Sequence, residues 1–178
     1  MASYEGQNYL VTNWHVAAGR NPLTGQPMAS TGAVPDALVV VQNKAAQLGR
    51  WEPRTEPLYE GNGDPLWLEH PEHGRRVDVV ALPLTQTDGV DLFPYEPANP
   101  GCLIAIGPTA QVSIIGFPFG MTAGRAFGVW VQGTVASEPE VDFQNLPASW
   151  SIAAPDPDSP GRPSSCTARA HGAMKAAR

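Results

Sequence analysis

The chain has 178 residues and a formal net charge of −6. With 42% hydrophobic and 16% charged residues it has an ordinary globular mix, long enough for one domain or two small barrels. The acidic balance argues against nucleic acid or an anionic membrane as partner, and no apolar run approaches membrane-spanning length.

The 18 Gly and 19 Pro, together with many Val and Ile, favour short strands and frequent turns over helices. The start, Met1-Ala-Ser-Tyr-Glu-Gly, shows neither a basic nor an apolar leader segment, so no secretory signal is visible. Two cysteines, Cys102 and Cys166, fit a reducing compartment. A cytoplasmic location is expected.

In chain order, Glu5-Gly6-Gln7-Asn8 is a turn signal. Tyr9-Leu-Val-Thr12 follows as an extended segment of strand formers. It delivers Trp14-His15 into a Gly-containing turn, Ala17-Ala-Gly-Arg-Asn-Pro22. An imidazole at a strand end is either a packed histidine or a titratable group at a sheet rim, able to reach a partner on another loop.

Residues 21–36 read as a loop. Ala37–Gln42 is a strand, and Gly49–Pro53 and Glu56–Tyr59 are weaker candidates. Glu60–Pro65 is a strong turn. Glu69-His70-Pro71-Glu72-His73 offers metal ligands, but Pro71 prevents the helix on which zinc-binding histidines sit one turn apart. A solvated loop is the better reading, so no metal and no cofactor is expected. Arg75-Arg-Val-Asp78-Val-Val-Ala-Leu-Pro-Leu84 then sets a carboxylate inside an apolar strand, where an isolated charge is costly. Asp78 could accept bonds from a turn, pair with Arg75 or Arg76, or orient His15. Its rivals Asp88 and Asp91 sit in a polar turn.

Residues 93–101 carry three prolines and read as a crossover. Leu103–Ile106, Val112–Ile115 and Phe127–Val135 follow as strands, with the glycines between them read as turns and bulges.

Leu10-Val-Thr-Asn-Trp-His15-Val and Val77-Asp78-Val-Val-Ala-Leu resemble the His and Asp motifs of the trypsin-like serine peptidases of the chymotrypsin fold, in a bacterial, intracellular-looking form. The chain order, His before Asp, is also that fold's order. The resemblance covers roughly residues 4–147. It implies an all-β architecture of two antiparallel Greek-key barrels, with the first strand or two and most of the closing strands missing. It also implies a peptide or protein substrate, with His15 as general base and Asp78 orienting it. Residues 1–100 would be the barrel carrying both residues, 101–148 the beginning of the second, and 149–178 a disordered tail. Open sheet edges at both truncations predict poor solubility. Oligomeric state is not legible.

After Pro147 the family pattern breaks. A strand and a Gly-Gln-Ser-Gly-Ser-Pro turn, which would carry the nucleophile and its oxyanion hole, are expected there. The chain instead reads Ala148-Ser-Trp-Ser-Ile-Ala-Ala-Pro-Asp-Pro-Asp-Ser-Pro-Gly-Arg-Pro-Ser-Ser-Cys166. The charge changes too. Residues 1–148 hold 7 basic and 15 acidic residues, residues 149–178 hold 4 and 2. Neither Ser159, Ser164, Ser165 nor Cys166 has the flanking glycines.

The genetic code offers a reason. When each codon's third base is joined to the next codon's first two, permissible codons from Ala148 onward spell Phe-Leu-Val-Asp-Cys-Arg-Thr-Arg-Pro-Gly-Gln-Ser-Gly-Ser-Pro-Val. For instance, GAC-AGT-CCG-GGT-CGC-CCG-TC encodes Asp158 to the start of Ser164, and from its third base encodes Gln-Ser-Gly-Ser-Pro-Val. One base lost from a C-run near Pro147 produces this tail. The chain as written is therefore expected to be an inactive peptidase relative lacking its nucleophile. The alternatives are a non-catalytic, peptidase-like module binding a peptide by strand addition, and a metal hydrolase using His70 and His73.

Overall fold

In the computed structural model, described for residues 1–96, 106–117, 122, 126–153 and 166–168, the chain is mostly β with one short helix. The described residues fall into two compact units, 1–96 and 106–168.

The first unit opens with a hairpin. β1 (Ala2–Tyr4) and β2 (Gln7–Thr12) pair antiparallel across Glu5-Gly6. Both turn residues have positive φ, 48° and 81°, the combination whose twist matches that of two antiparallel strands. β2 then pairs with β6 (Val80–Pro83), from Tyr9↔Pro83 to Thr12↔Val80. β6 also pairs with β5 (Leu68–Glu69), giving a sheet ordered β1-β2-β6-β5.

The second sheet of this unit is β4-β3-β7. β3 (Ala37–Lys44) lies between β4 (Trp51–Pro57) and β7 (Val90–Asp91). The two weak strand candidates of the sequence fall largely within one continuous strand, β4. Pro53 and Pro57 do not interrupt it because β4 is an outer strand, where a missing N–H costs no ladder bond on the open side.

Leu38, Leu58, Trp67, Val80 and Leu82 pack with Trp14, Ala17 and Ala18 into one apolar cluster. Leu58 and Leu82 are 0% and 1% exposed, and each such burial stabilises by about 1.5–3 kcal/mol. Tyr59 meets Trp67 edge to face at 5.3 Å. A carboxylate stitches the two sheets. Glu56 of β4, fully buried, accepts bonds from Thr85 N–H (3.0 Å), Thr85 Oγ1 (2.7 Å) and Gln86 N–H (2.9 Å), just beyond β6.

In the second unit β8 (Gln111–Gly116), β9 (Val129–Val135), β10 (Ala148–Ala153) and β11 (Cys166–Ala168) form an antiparallel sheet ordered β11-β10-β9-β8. A Cβ on Gly128 would lie 2.9 Å from Ile115 Cγ2 and 3.2 Å from Gly116 O, so its glycine permits the close approach of β8. Residues 149–153 and 166–168 of the expected tail are extended and paired. Its other residues, Cys102, and residues 103–105 of the strand expected at Leu103–Ile106 lie outside the described residues.

The all-β expectation therefore holds as an antiparallel, mostly β chain. No sheet closes into a barrel among the described residues. In the first unit β5 and β7 are two residues long, which leaves too little ladder to join one sheet to the other.

Candidate functional site

His15 does not end a strand, as the sequence suggested. β2 stops at Thr12, and Trp14–Ala18 form one turn of helix, α1. Trp14, Ala17 and Ala18 are buried, the i, i+3, i+4 stripe of a helix lying on a core. His15 falls between them and is left at the rim, its side chain 34% exposed. Gly19 ends the helix in the left-handed region, at φ 62°. A Cβ there would stand 2.4 Å from Pro35 Cδ, so conformation and space both require glycine.

Asp78 does not sit inside its strand either. Gly74–Val77 is a 3-10 turn, Asp78 ends it at φ 54°, and β6 begins two residues later. An aspartate tolerates this left-handed backbone better than a β-branched residue does. The consequence is directional. A kinked residue ahead of the strand turns its carboxylate across to α1, on the neighbouring strand's C-terminal extension.

There the two expected partners meet. His15 Nδ1 lies 2.8 Å from Asp78 Oδ2. The backbone N–H of His15 donates to Asp78 Oδ1 at 2.9 Å. A carboxylate oxygen only accepts, so Nδ1 donates in this contact, and Nε2 is the ring nitrogen that Asp78 leaves uncommitted. Asn13 adds a third tie, its Nδ2 donating to the Asp78 carbonyl at 3.1 Å and to Oδ2 at 3.3 Å. The Asp78 side chain is 28% exposed, so the carboxylate is half-buried rather than enclosed. Neither Arg75 nor Arg76 makes an ion pair with it.

Comparison of the chain with protein-family models, with curated proteins and with solved structures finds no match in any of the three.

Around the pair, a second carboxylate fixes the helix. Glu69 Oε1 accepts from the indole N–H groups of Trp14 (2.7 Å) and Trp67 (3.0 Å), linking α1 to the segment before β5. The Arg75 guanidinium stands 6.0 Å from the Trp14 ring centroid, at the outer limit of a cation–π contact. His70 is engaged in its own turn. Its Nδ1 accepts from the N–H groups of Glu72 and His73, each at 3.2 Å. The two rings are 5.0 Å apart and tilted by 34°. Among the described residues no group of three or more His, Cys, Asp or Glu is arranged to hold a metal ion. An open concavity of about 870 Å³ runs along residues 65–76, past Trp67, Glu69, His70, His73 and Arg76, and neither His15 nor Asp78 lines it.

The rivals separate cleanly. Asp91 is exposed and its Oδ2 accepts from Ala46 N–H, and Asp88 gives its carbonyl to Arg54. Both serve turns. Sequence reasoning missed Asn13 and the Glu69 bridge. An Asn two residues before the His was available as a signal, since Asn there ought to cap α1. Ser159, Ser164 and Ser165 lie outside the described residues. Cys166 is described only as part of β11.

Proposed function

We propose that this chain derives from a trypsin-like serine endopeptidase of the chymotrypsin fold, and that its two units correspond to that fold's two Greek-key barrels. The observation that carries the reading is the double contact of Asp78 with His15, one oxygen on the ring and the other on the same residue's main chain. In such an enzyme His15 Nε2 takes the proton of an attacking serine, and Asp78 holds the tautomer and stabilises the imidazolium that forms. The serine attacks the peptide carbonyl, and its acyl-enzyme is hydrolysed in the second half-reaction.

The nucleophile is not written in this frame. Permissible codons for residues 148–164, read from the third base of each, spell Gly-Gln-Ser-Gly-Ser-Pro, and this supports a lost base as the origin of the tail. The chain as translated accordingly has no peptidase activity. A fluorophosphonate probe tests this. The chain stays unlabelled, and inserting one base in the Pro147 region, with an opening strand of the family's kind added before Met1, yields a product that labels stoichiometrically and loses labelling on His15→Ala. Labelling of the chain as written, or gene codons at 148–164 that do not spell the serine turn, overturns the proposal.

A further inference from the structure

Asn13 occupies the N-cap of α1, with φ −74° and ψ 145°, yet its side chain makes no cap bond. Asparagine at that place normally accepts from an N–H of the first turn. Here the first-turn N–H of His15 goes to Asp78 Oδ1 instead, and the Asn13 amide turns away to donate to Asp78. The two residues have exchanged duties. The aspartate caps the helix, and the cap residue grips the aspartate.

The grip has two points. At 3.1 Å the amide holds the Asp78 carbonyl, and with it the left-handed backbone at φ 54°. At 3.3 Å it touches Oδ2, the oxygen that faces the His15 ring. The Asp78 N–H bond to Arg75 O (3.0 Å) and the His15 N–H bond to Oδ1 remain without this tie, but neither restrains Oδ2, which then shifts more readily off Nδ1.

We infer that Asn13 is a positioning residue. By holding Asp78 it fixes the Nδ1–H tautomer of His15 and keeps Nε2 basic. The inference deepens the peptidase reading and rests on it for its purpose, but not for its test.

The test is nitrogen-15 NMR of the imidazoles in the full chain, with His15 assigned through His15→Gln. The wild-type ring shows the Nδ1–H tautomer. In Asn13→Ala, and in the equal-sized Asn13→Asp, which loses the donor, the ratio of Nδ1–H to Nε2–H falls by at least about threefold. That is the low end of what one ordinary hydrogen bond contributes net. The indole N–H resonances of Trp14 and Trp67, which report the Glu69 bridge, stay in place. An unchanged ratio with unchanged indoles overturns the inference. So does collapse of the indole signals in both variants, which would make Asn13 a folding residue. Because no activity is measured, loss of the tautomer alongside a frame-restored chain that fails to label would sink the peptidase reading and leave the positioning role intact.

Discussion

Two carboxylates in the first unit are held by similar numbers of hydrogen bonds and are suited to opposite tasks. Glu56 is fully buried and every donor on it is fixed: two main-chain N–H groups and one hydroxyl, all from Thr85 and Gln86. With these partners it is a structural tie. Asp78 is 28% exposed and spends one oxygen on the imidazole of His15. A carboxylate becomes chemically useful when one of its partners titrates and water can reach the pair; depth of burial alone makes a tie between sheets.

Substitutions can break that contrast, and the largest effect belongs to Glu56. Glu56→Ala removes the fully buried acceptor of three hydrogen bonds and opens a cavity, so urea unfolding followed by tryptophan fluorescence gives a loss of about 2–4 kcal/mol. Gly19→Ala comes next. A left-handed backbone and a Cβ at 2.4 Å from Pro35 Cδ together cost about 2–3 kcal/mol by the same assay. Asp78→Ala costs only about 1 kcal/mol, as the loss of a partly solvated cap does. Yet it abolishes the Nδ1–H tautomer of His15, and in the frame-restored chain it abolishes most probe labelling. A stability loss for Asp78→Ala as large as that for Glu56→Ala would erase the distinction drawn here. The smallest effect is of the opposite sign. Gln42 is 2% exposed, and among the described residues neither its Oε1 nor its Nε2 has a partner. Gln42→Met removes a buried amide without a bond to lose, so unfolding shifts by about 1 kcal/mol or less, toward greater stability.

The same contrast shows what a linear sequence can reveal. His15 and Asp78 were legible because each sits in a recognisable run of apolar residues whose order along the chain is itself informative. Their local structures were not. The Tyr9–Thr12 pattern extends naturally into Trp14-His15, and only packing of Trp14, Ala17 and Ala18 on the core curls that stretch into a helical turn. Val77, Val79 and Val80 around Asp78 give it the pattern of a strand residue. A preceding 3-10 turn, which no periodicity marks, places it outside the strand. Glu56 lay unnoticed in a weak strand candidate, since its donors are 29 and 30 residues further on. The closed barrels that the resemblance implies are not formed among the described residues. Closure depends on how far each ladder runs, and β5 and β7 run for two residues.

The prolines of β4 have a consequence for how copies of this chain behave together. Pro53 and Pro57 share one alternation of the strand with Thr55, and a proline is admitted to a ladder only where its nitrogen faces outward. Among the described residues, the outer border of that sheet thus presents a broken row of donors to any second chain seeking to extend it. Strand addition on this flank is disfavoured, and only replacing both prolines, Pro53→Val with Pro57→Val, restores the row.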